Sequence, residues 1–129
     1  HQFLHRRLRE AAALHERLFV IDTHSDTPTA SFAREGWDFA ARHDVAEDRS
    51  QIDLPRLRTG GVDAAVFAVY VGQMGRSEAG LRAAHERARR HFDRTHSVLQ
   101  QHADRCALAL TADARADAHA QQRRGRCVD

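Results

Sequence analysis

Residues 51–71, QIDLPRLRTGGVDAAVFAVYV, decide the fold. Asp53 is an acid at the N-cap position of a helix, Pro55 falls in its first turn and Gly60 stands just past its end, which is the punctuation of one short helix. The run VDAAVFAVYV that follows lies between GG and GQMG. It is apolar at neighbouring positions rather than alternate ones, as in a strand covered on both faces.

Working outward, LFVID at 18–22 is a second run of that kind, and the polar group THSD sits at its carboxyl end. Downstream, Ser77 can cap a helix reaching about Ala103, with apolar residues at 81, 84, 88, 92 and 99 on its inner face. Arg82, Glu86, Arg89 and Arg90 occupy its opposite, solvated face. CALALT at 106–111 then predicts a third short buried strand. Strand, helix and strand in this order give βαβ connectivity, a parallel sheet and an α/β fold. Ahead of the first strand, apolar residues at 3, 4, 8, 11, 12, 14 and 18 predict an amphipathic helix.

Residues 28–51 have no regular period, although SFAREGWDFAARH at 31–43 can hold one or two helical turns. Connections of this length are usually functional or ordered by partners. The stretch TADARADAHAQQRRGR at 111–126 contains no large apolar side chain and should be weakly anchored.

The chain has 129 residues, 42% hydrophobic and 29% charged, which suits one compact domain. All 20 basic residues are Arg, set among 18 acids, for a formal net charge of +2. That balance offers no one-sided positive excess, and no nucleic-acid partner is expected. Cys106 and Cys127 have no CxxC partner and read as ordinary thiols of a reducing compartment. No apolar run approaches the roughly 18–20 residues of a membrane span, and HQFLHRRLRE lacks a signal peptide's apolar run. A cytoplasmic location is expected. The first residue is His and the last residues, CVD, carry no turn signal, so the segment is expected to be a piece of a longer polypeptide.

His-x-Asp occurs three times, at His24/Asp26, His91/Asp93 and His102/Asp104, so the setting must decide its meaning. On a helix, residues i and i+2 point roughly 200° apart and cannot share a metal, whereas on extended chain they project to one side. The pairs at 91 and 102 lie on the predicted helix or its end and read as surface residues. His24 and Asp26 lie in extended chain at the carboxyl end of a buried strand, where parallel sheets place reactive groups. An imidazole nitrogen and a carboxylate oxygen suit Zn²⁺, and Asp22 could orient the His from behind. The alternative is a strand-end His with an Asp capping the turn at Thr27-Pro28, and the residues alone leave the two readings level. His43, Asp44 and Asp53 have no spacing that marks them as further ligands, and His43-Asp44 reads as loop chemistry. There is no Gly-rich phosphate loop, and Ser25 lies in HSDTP rather than GxSxG, which disfavours phosphate-loop binding and serine hydrolysis.

The succession of amphipathic helix, VIDTHSDTP, WDFAARHD, QIDLPRLRTGGVDAAVFAVYV, long helix and DRCALALTAD resembles the N-terminal part of the membrane (renal) dipeptidase family, the M19 zinc metallopeptidases, over about residues 8–113. The visible match thins from about 111 onward. The resemblance implies a (β/α)8 barrel, of which this chain would be the N-terminal part, and a two-zinc site that hydrolyses dipeptides. It assigns His24 and Asp26 as the first two metal ligands. The implied chemistry is attack on the peptide carbonyl by a hydroxide bridging the zincs, which also polarise the carbonyl. The bridging Glu, two further His and a late Asp of that family have no counterpart within the 129 residues. A full barrel needs about 250 residues. The isolated chain is therefore expected to be inactive, and to self-associate through uncovered apolar surface. The nearest other enzyme reading is a metal-dependent hydrolase of the amidohydrolase or deoxyribonuclease type, in which the third position of the first-strand motif is commonly His instead of Asp26. Outside enzymes, the remaining readings are a non-catalytic α/β remnant and an Arg-rich binding module.

Overall fold

A computed structural model describes residues 2–113. The Ala-rich stretch from 114 onward and the Cys127 thiol lie outside the described residues. The described elements are α1 (Gln2–His15), β1 (Ile21–Ser25), α2 (Thr27–Ala30), α3 (Val45–Asp48), α4 (Leu54–Thr59), β2 (Ala64–Phe67) and α5 (Glu78–Gln101). β1 and β2 pair in parallel, which gives a mixed α/β architecture.

The short helix α4 forms as its punctuation predicts. Asp53 caps it by accepting the Arg56 backbone N–H, Pro55 lies in the first turn, and Gly60 closes the end. Gly61 follows at φ +66° and passes so close to the His15 ring that a Cβ there would stand 2.7 Å from Nε2. The positive φ favours glycine at 61, and a side chain there would also displace the exposed His15 ring. The same ring nitrogen hydrogen-bonds the Gly60 carbonyl oxygen at 2.9 Å and ties the end of α1 to the turn before β2.

Register starts with Ile21 opposite Ala64 and Asp22 opposite Ala65, and resumes with Ser25 opposite Phe67. Three steps on β1 thus face two on β2, so one extra residue bulges out of β1 at Thr23–His24. A bulge re-aims the side chains of its strand and is frequent beside active sites.

The core is not centred on the strands. Phe32, Trp37, Phe39 and Val98 are buried together, with Leu54, Leu57, Phe67, Leu99 and Cys106 packed around them. Phe32 meets Phe39 and Phe67 edge to face, with centroids 5.1 and 5.4 Å apart. The segment expected to be an irregular connection therefore supplies most of the core, although its helical turns are α2 and α3 and none forms within 32–43. A polar network fixes this crossover. The fully buried Asp53 accepts the His43 backbone N–H at 2.8 Å and the Arg56 Nε–H at 2.6 Å. Arg56 in turn donates to the Ser50 carbonyl, and Ser50 donates to Asp48 from both its backbone N–H and its hydroxyl.

Four expectations are corrected. β1 begins at Ile21 and includes Thr23, His24 and Ser25, so the polar group lies within the strand except for Asp26, which follows it. The second strand is four residues long, and Tyr70 beyond it is exposed. CALALT forms no strand: it finds no pairing partner among the described residues, and Leu110 is 81% exposed. On α5 the buried side is Ala84, Thr95 and Val98, while Leu81 and Phe92 face solvent. Val98 joins the aromatic cluster of Phe32, Trp37 and Phe39, with Leu99 packed against it, and the buried stripe is narrower than the apolar residues of the helix define. α1 forms as predicted and buries none of its residues.

Candidate metal centre

β1 carries His24 at its bulge and delivers Asp26 one residue beyond its end. His24 Nε2 and Asp26 Oδ1 stand 3.3 Å apart, with side chains 69% and 58% exposed. Asp26 occupies the N-cap position of α2, yet its carboxylate makes no capping hydrogen bond; its backbone carbonyl instead accepts from Thr29 and Ala30. The capping role, which was the competing explanation for this Asp, is therefore not taken up, and the carboxylate turns toward the imidazole. Asp22 Oδ1 accepts the His24 backbone N–H at 3.1 Å. It steadies the bulge through the main chain rather than by holding the ring.

Two donors each about 2.0–2.1 Å from a zinc ion at the tetrahedral angle would stand roughly 3.3 Å apart. The His24–Asp26 separation fits two corners of one such site. Among the described residues no group of three His, Cys, Asp or Glu side chains gathers to hold a metal, so these donors amount to a pair.

The other candidates have structural duties. His43 stacks on Trp37 at 4.6 Å, and its Nδ1 and Nε2 lie 2.7 Å from Asp48 Oδ2 and from the Asp38 carbonyl oxygen. Asp44 caps α3 by accepting the Ala46 N–H, and Asp53 caps α4. The two serine hydrogen bonds, with help from the Trp37 indole N–H and His43, hold the Asp48 carboxyl well below the usual carboxylate range against the opposing effect of burial. Burial raises the Asp53 pKa, and the His43 and Arg56 donors outweigh it, leaving a net lowering. Burial pushes the Cys106 thiol up, as does the nearby Asp104. His102, read from sequence as a surface residue, is mostly enclosed, with Nε2 3.6 Å from Asp38 Oδ1 and its ring against Phe39. No local period marks that burial, because it depends on a loop more than 60 residues away.

The family model of the membrane dipeptidases, peptidase family M19, matches residues 8–128, and the chain belongs to that family. Membership supports a dipeptidase-like metallohydrolase at family level, and the family is zinc-dependent in general. The match runs through the stretch beyond 113, where recognisable motifs thin out. No curated protein matches the chain. No described helix is long and apolar enough to cross a membrane.

Proposed function

We propose that the chain supplies the first-strand ligands of a zinc-dependent dipeptidase, with His24 and Asp26 binding metal and Asp22 holding the His24 backbone N–H. The observation that carries this reading is the Asp26 carboxylate, which forgoes capping α2 and stands 3.3 Å from His24 Nε2. Zinc bound there would act as a Lewis acid on the scissile carbonyl of a dipeptide and activate water against it. The residues present act on the metal alone. His24 would offer its ring Nε2 and Asp26 its carboxylate Oδ1, and both side chains are exposed.

The further features proposed are a binuclear site, a (β/α)8 barrel of which residues 1–129 form the first part, and a cytoplasmic setting. Two protein ligands are fewer than the three that hydrolytic zinc sites ordinarily keep. The chain by itself should thus bind zinc without releasing amino acids from dipeptides. The test is a panel of L,L- and L,D-dipeptides incubated with the chain, with and without chelator, beside His24→Ala. Absence of turnover together with His24-dependent zinc binding is the expected result. Chelator-sensitive, His24-dependent turnover would contradict the two-ligand account, and zinc binding indifferent to His24 would contradict the ligand assignment.

A further inference from the structure

The turn at 32–36, just after α2, faces the middle of α5 across an open cleft of about 490 Å³. Arg34 lines it from the turn, and Arg87, Arg90, His91 and Arg94 line it from the helix. Glu35 is the one acid among the lining residues. Positions 87, 90 and 94 are three and four residues apart, so their side chains share one side of α5, where like charges repel.

The chain braces this charge without neutralising it. Arg87 Nη2 donates to the Gly72 carbonyl at 2.8 Å, and Arg94 Nε donates to the Phe32 carbonyl at 3.0 Å. Both contacts are to neutral backbone, and Arg90 has no hydrogen-bond or carboxylate partner among the described residues. Elsewhere on the same helix an arginine is matched, as Arg82 is by Glu78 at 3.0 Å. Arg34 alone of the four reaches a carboxylate, Asp48, at 3.7 Å. Pre-positioned guanidinium forks facing one concavity are the arrangement that recognises phosphoryl oxygens, and three unneutralised arginines exceed what one monocarboxylate would balance. The volume is within the range of small-molecule sites.

We propose that this cleft binds a small, soluble phosphate-class dianion, such as a phosphate ester or pyrophosphate, through Arg87, Arg90 and Arg94, separately from the metal pair. The chemistry is shared by free phosphate compounds and phospholipid headgroups, and the test separates them. Inorganic pyrophosphate is titrated calorimetrically into the metal-free 129-residue chain at fixed ionic strength, beside Arg87→Gln, Arg90→Gln and the control Arg82→Gln. The same proteins are then sedimented with phosphatidylcholine vesicles with and without phosphatidic acid. One saturable pyrophosphate site is expected, weakened about tenfold or more in Arg87→Gln and Arg90→Gln and unchanged in Arg82→Gln, with no Arg90-dependent partition onto vesicles. The proposal is overturned by absence of saturable binding, by equal affinity in all variants, or by Arg90-dependent vesicle binding without a pyrophosphate site.

Discussion

A single buried carboxylate, Asp53, joins three segments of this chain: it caps α4, receives the His43 backbone N–H and pairs with Arg56. Because the group is fully enclosed, Asp53→Ala would leave the Arg56 Nε–H, the Arg56 amide and the His43 amide without their acceptor, with Arg56 held only through Ser50. We expect a loss of about 3–5 kcal/mol in urea unfolding, the range for breaking one side of a buried ion pair. The carboxyls of Asp53 and Asp48 are both lowered from their ordinary value of 3.8, so the folded state binds fewer protons than the unfolded chain. Their stabilisation is complete above the ordinary carboxylate range and is lost progressively as pH falls through and below it. Unfolding midpoints should therefore hold steady from neutral pH to about pH 5 and drop below it, less steeply in Asp48→Asn. The cap role of Asp53 is legible in DLPRLRTGG, since it is local. Its bond to His43 is not, because two loop positions ten residues apart leave no periodic trace. His24 and Asp26 are legible as residue types in extended chain, whereas their approach to 3.3 Å depends on a bulge that hydropathy does not encode.

At the scale of elements, sequence reading succeeds where an element is defined by its own ends. Ser77 caps α5 by accepting the Gly80 N–H at 3.1 Å, and Ser77→Ala should cost about 1 kcal/mol in the same unfolding assay. It fails where an element is defined by its neighbours. Residues 32, 37 and 39 match neither a helical nor a strand period, yet they form the aromatic centre of the core. Phe32→Ala, which removes a ring packed on Trp37, Phe39 and Phe67, should destabilise by about 3–5 kcal/mol. CALALT has the composition of a buried strand, but a strand exists only when another edge accepts its hydrogen bonds.

For the whole molecule, the fold leaves much apolar surface uncovered. Phe3, Leu4, Leu8 and Leu14 on α1, Val66 on β2 and Tyr70 after it are all exposed. A two-strand parallel sheet also has two open edges. The 14.6 kDa chain should thus show a weight-average mass that rises with concentration in sedimentation velocity. A constant monomer mass with cooperative unfolding would show that these surfaces are stable in water as they stand. Membership of the membrane dipeptidase family gives the apolar strands a reason, since the fold proposed for the complete domain would enclose them.

The account rests most heavily on His24 and Asp26 acting as ligands of one metal ion. The direct measurement is zinc affinity by competition with a chromophoric chelator for the wild type, His24→Ala, Asp26→Ala and the double variant. The account predicts that each single change lowers affinity at least about tenfold, that the double change adds little, and that unfolding free energies stay within about 0.5 kcal/mol because both side chains are exposed. Equal zinc affinity in all four proteins would contradict it.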